Sequence, residues 1–95
     1  MKKSKHDQIA ENLAKKEKAN YNKGKGPDIK GKERIIEVAT HQSDLYSSID
    51  QVKNYKKPKY LATSTELIDK AKNITKGTGI GVMGPTGVIK KKARS

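Results

Sequence analysis

Apolar residues recur along the chain with two different periods. In "KHDQIAENLAKKEKA", Ile9 and Leu13 are four apart and Ala10 and Ala14 lie beside them, which predicts a helix with one narrow buried stripe. Asp7 or Ser4 suits its N-cap. "NYNKGKGP" is turn chemistry. "DIKGK" then predicts a short strand, and "RIIEVAT" a stronger one rich in β-branched residues. The short glycine-containing link between them predicts an antiparallel hairpin. Leu45, Ile49 and Val52 predict a second helix over "SDLYSSIDQVKNYKK", ended by Pro58. "PKYLAT" follows as a strand. "TSTELIDKAKNITKG" predicts a third helix, with Thr63 and Glu66 at capping-box spacing, Leu67, Ala71 and Ile74 on its buried face, and Gly77 after its end. "GIGVMGPTGVIKKK" predicts two short strands about the turn "GPTG". The expected fold class is α/β, a central mixed sheet flanked by helices, in one domain over residues 1–95 with a basic tail at 90–95.

Strand alternation separates two sets of side chains in the strongest strand. Ile36, Val38 and Thr40 share one face; Ile35, Glu37, Ala39 and His41 share the other. On the preceding strand Asp28 and Lys30 share a face. Pairing of the two strands around Gly31 brings Asp28 and Glu37 to the same side of the hairpin. Two carboxylates at one end of a sheet are hard oxygen ligands suited to Mg²⁺ or Mn²⁺, with water and substrate phosphate completing the shell. The bland alternative is a turn aspartate and a glutamate paired with a neighbouring lysine.

Charge narrows the partners. The chain has 22 Lys and Arg against 10 Asp and Glu, a formal net charge of +12. Such an excess fits a polyanion, nucleic acid above all, and Lys23, Lys25, Lys53, Lys56 and Lys57 are the expected contacts. There is no cysteine, hence no disulfide or thiolate metal site, which agrees with an intracellular, cytoplasmic protein. No apolar run is long enough to cross a membrane, and no apolar region follows the basic start "MKKSKHDQ". The glycines of "GTGIGVMG" lack the strand–glycines–helix order of a dinucleotide-binding turn, and no phosphate-binding GK[ST] occurs.

The chain resembles the PD-(D/E)xK nuclease superfamily, the restriction-endonuclease-like fold, over roughly residues 5–90. Pro27-Asp28 followed by Ile36-Glu37-Val38, in a helix–strand–strand–helix–strand order, carries the resemblance. Gln51 and Tyr55 add the Gln-x-x-x-Tyr spacing of its RecB-like branches. The resemblance implies a minimal restriction-endonuclease-like domain and a metal-dependent DNA endonuclease or a relative of one. It implies metal binding by Asp28 and Glu37, support from Gln51 and Tyr55, and an acid on the first helix, Asp7 before Glu11. The chain departs from the pattern at Ala39, which stands where the family has lysine. Either the lysine has moved, with Lys30 and Lys53 as candidates and His41 on the Glu37 face, or the fold binds nucleic acid without cutting. DNA is expected before RNA. An RNA-associated protein without a metal site is the third reading. A small core with no Trp and no Phe, and a fold whose double-strand cutters pair, also predict a homodimer.

Overall fold

Ser4 starts the first helix as expected: its hydroxyl accepts from the Asp7 N–H at 3.1 Å and caps α1, Lys5–Glu17. Asp7 in the first turn and Lys15 and Lys16 in the last complement the helix dipole. Lys18, in the left-handed region at φ 53°, closes the C-terminus by donating its N–H to Ala14 and Lys15 carbonyls. In this computed structural model, residues 4–22 and 27–94 are described. They form α1, β1 (Ile29–Lys30), β2 (Ile35–Ala39), α2 (Asp44–Val52), β3 (Lys59–Thr63), a 3₁₀ turn (Thr65–Leu67), α3 (Ile68–Ile74), β4 (Gly81–Met83) and β5 (Ile89–Lys91).

The five strands make one mixed sheet in the order β1-β2-β3-β4-β5. β1 and β2 are antiparallel, β2, β3 and β4 are parallel, and β5 returns antiparallel to β4. Parallel neighbours need crossover connections, and α2 and α3 supply them. Two buried clusters follow. Ile9, Ala10, Leu13 and Ala14 of α1 pack on Ile29, Ile36 and Val38. Leu45 and Val52 of α2 and Ala71 of α3 pack on Ile35, Ala39, Leu61 and Val82 across the other face. The interior strand β2 is thus apolar on both sides, the pattern of a parallel sheet covered twice. Glu37 is the half-buried exception within it. The α/β architecture, a mixed sheet flanked by helices, is as the hydrophobic pattern predicts.

Three local expectations are corrected. The second helix ends at Val52, so Tyr55 lies beyond it and is not one helical turn from Gln51 on a shared face. The chain must turn there to enter β3: Tyr55 donates its N–H to Val52, the Lys59 ammonium donates to the Tyr55 carbonyl, and Pro58 accepts from the Ile35 N–H. Thr63 does not cap α3. It is the last residue of β3, and its hydroxyl donates to the Ala39 carbonyl at 2.6 Å, leaving the 3₁₀ turn to start the helix. The basic tail is partly sheet. Lys91 belongs to β5, where its ammonium donates to the Thr75 carbonyl and hydroxyl and to the Ile80 carbonyl, while the Arg94 N–H donates to Gly79. Burial lowers the Lys91 pKa, with the Arg94 charge adding to the effect. Among the described residues no helix is long and apolar enough to cross a membrane.

Candidate metal centre on the β1–β2 hairpin

The hairpin register sets the site. Ile29 faces Ile36 and Lys30 faces Ile35, so one step outward Asp28 stands across from Glu37. Each carboxyl is clasped by a backbone N–H. The Asp28 N–H donates to Glu37 Oε1 at 2.8 Å, and Asp28 Oδ2 accepts from the Val38 N–H at 2.9 Å. Each clasp occupies one carboxyl oxygen. The other oxygen of each, Asp28 Oδ1 and Glu37 Oε2, is left outside these two bonds.

Placing two acids together in a half-buried position is costly for their ionised forms. Burial pushes the Glu37 carboxyl up to about 8, the Asp28 charge pushes the same way, and the Asp28 N–H works against both. The pair therefore holds a proton near neutrality. A divalent cation would favour its loss, because positive charge between two carboxylates reverses the penalty that keeps the proton on.

The N-terminal helix reaches this pair through a histidine. His6 Nε2 lies 3.2 Å from Asp28 Oδ2. Its Nδ1 lies 3.1 Å from the Tyr21 hydroxyl, which donates to Asp7 Oδ1 at 2.7 Å. Tyr21 forms an isolated antiparallel bridge with Ile29, and the Asn22 N–H donates to the Asp28 carbonyl, so Tyr21 and Asn22 are pinned beside the acids. Burial and the nearby acids Asp7, Asp28 and Glu11 raise the Tyr21 pKa and keep the phenol a proton donor.

The remaining expected site residues are placed elsewhere. The Lys30 ammonium sits 5.8 Å over the Tyr55 ring, a cation–π contact. Lys53 is exposed and pairs with Asp50 at 3.1 Å. Gln51, His41 and Lys56 are exposed, and the Lys57 ammonium donates to the Gly31 carbonyl. Lys23 and Lys25 lie outside the described residues. Asp7 joins the cluster through Tyr21 and His6. Ala39 is fully buried among Leu45, Val52 and Leu61, which is why a small residue stands there. A cleft of about 510 Å³ lined by Lys16, Glu17, Lys18, Lys32, Glu33 and Arg34 lies at the turn end of the hairpin, away from Asp28 and Glu37, and its Arg34 is bonded to Glu17.

Sequence patterning misses His6 and Tyr21. They meet Asp28 only through tertiary contact between α1 and β1, and no local spacing marks them. Among the described residues no three His, Asp or Glu side chains surround one point. The protein therefore offers two carboxylates and not a closed cage. That suits Mg²⁺, which keeps several waters and takes one or two carboxylates together with phosphate oxygens. Compared with protein-family models, curated proteins and solved structures, the chain matches none.

Proposed function

We propose that this protein is a nucleic-acid-binding protein of the restriction-endonuclease-like kind that hydrolyses phosphodiester bonds with Mg²⁺ or Mn²⁺. The observation that carries the reading is the placing of Asp28 across from Glu37 on the β1–β2 hairpin, with the Asp28 N–H on Glu37 Oε1 and the Val38 N–H on Asp28 Oδ2. The donor set fits a hard divalent cation: two carboxylates, one of them raised to about 8 by burial and by the other's charge. Bound there, the ion would polarise phosphate and lower the pKa of water. The chain's own residues hold and orient. Asp28 and Glu37 fix the carboxyl oxygens at one end of the hairpin. The net charge of +12 draws a phosphate backbone to the protein. DNA is proposed before RNA.

One observation favours a second reading, a DNA-binding protein of the same architecture that does not cut. Lys30 is turned to Tyr55, Lys53 is paired with Asp50, and Ala39 is buried, so among the described residues none of these three positions supplies the family's lysine beside the acids. Incubation with linear, nicked, single-stranded and four-way DNA in Mg²⁺ and in Mn²⁺ separates the two. Cleavage of any of these that disappears in Asp28→Asn supports the nuclease. Salt-sensitive binding to all of them with no cleavage in either metal supports the second reading.

A further inference from the structure

We infer that His6 is a positioning residue for the Asp28 carboxylate, held in place by Tyr21 and Asp7, and that this network sets the affinity of the site for a divalent cation. The inference rests on the reading of Asp28 and Glu37 as metal ligands. Asp28 Oδ2 is approached by two groups from different parts of the fold. The Val38 N–H at 2.9 Å comes from β2, and His6 Nε2 at 3.2 Å comes from the first turn of α1. One contact leaves a carboxylate able to swing about its terminal torsion. A second, from a separate element, restricts that swing.

The ring that supplies the second contact is itself fixed. Its Nδ1 meets the Tyr21 hydroxyl at 3.1 Å, and that hydroxyl donates to Asp7 Oδ1 at 2.7 Å. Asp7 is anchored by the helix cap, its N–H bonded to the Ser4 hydroxyl. Tyr21 is anchored by its bridge to Ile29. The network therefore ties the start of α1, the segment before β1 and the hairpin to one carboxyl oxygen. Groups that hydrogen-bond a ligating carboxylate or imidazole typically change metal affinity by about 10–100-fold when removed.

The test is Mn²⁺ affinity, read from the electron-spin-resonance signal of free Mn²⁺, for the full chain and four variants. His6→Ala should weaken Mn²⁺ binding at least about tenfold. Tyr21→Phe, which removes the hydroxyl from Nδ1 but leaves its 3.6 Å approach to Asp7 Oδ1, should weaken it less. His6→Gln, which restores a polar side chain at that position, should recover part of the loss. Asp28→Asn should abolish binding. Melting temperatures in EDTA show that each variant is folded; a merely structural role for His6 would lower these and leave the affinity of the folded protein unchanged. Wild-type affinity in both His6→Ala and His6→Gln, with binding lost in Asp28→Asn, would overturn the inference and leave the metal site standing. No Mn²⁺ binding by the wild-type chain would instead refute the metal reading, and the role of His6 with it.

Discussion

Replacing Glu37 by glutamine ought to stabilise the metal-free protein at alkaline pH, against the usual direction for a half-buried substitution. In the folded state the Glu37 carboxyl keeps its proton up to about 8, against 4.5 for the free side chain. Between these values the folded chain holds a proton that the unfolded chain has released. Stability therefore falls as pH rises from 4.5 towards 8 and levels off above. At about 1.36 kcal/mol per pH unit the full effect would approach about 5 kcal/mol. Water screens a half-buried group, which brings the expected loss to about 2 kcal/mol. Glutamine mimics the protonated acid: its carbonyl can accept from the Asp28 N–H, and its amide can face the Asp28 carboxylate. At pH 9 in EDTA, Glu37→Gln should exceed wild type by about 2 kcal/mol, a rise in Tm of about 8–16 °C for a chain of this size. At pH 4.5 the two should agree within about 0.5 kcal/mol, since both folded side chains are then neutral and the unfolded glutamate is only half ionised. Urea unfolding across this range measures the difference. A variant that is less stable than wild type at pH 9, or a gap that does not grow with pH, would refute the reasoning about the acid pair.

Other outcomes follow from the same geometry and charge. Binding to DNA should weaken steeply between low and physiological salt, because each neutralised phosphate releases counterion; an affinity unchanged across that range would count against the polyanion reading. Ala39→Lys should cost about 2–4 kcal/mol in urea unfolding, since Ala39 is fully buried among Leu45, Val52 and Leu61, and an unchanged midpoint would show that the lysine escapes the core. Gly81→Ala should cost about 1–3 kcal/mol: a Cβ there would meet the Tyr60 ring at 2.5 Å and the Ala93 nitrogen at 2.7 Å, and thermal unfolding reads the loss.

Much of this architecture is legible because the sheet writes itself into the sequence. In "IIEV", alternation places Ile36 and Val38 against α1 and leaves Glu37 on the other face, as the structure has it. The facing of Asp28 and Glu37 follows from parity and a short hairpin. The α2 boundary is less legible. Apolar spacing continues through Tyr55, but the turn into β3 takes those residues out of the helix. The Thr63 cap fails for a related reason, since a hydroxyl that could cap a helix is used to join β3 to the Ala39 carbonyl. His6 and Tyr21 were beyond reach. Their partners are chosen by the way α1 lies on the sheet, and a lone histidine in a lysine-rich helix carries no periodic signal.

The central claim, that Asp28 and Glu37 together hold a divalent cation, is tested most directly by melting the protein at pH 8 with and without millimolar Mn²⁺. A ligand that binds only the folded state raises the melting temperature by mass action. The wild-type chain should gain several degrees, while Asp28→Asn and Glu37→Gln, folded and intact in EDTA, should gain none. An unmoved wild-type transition, or equal gains in all three proteins, would contradict the account.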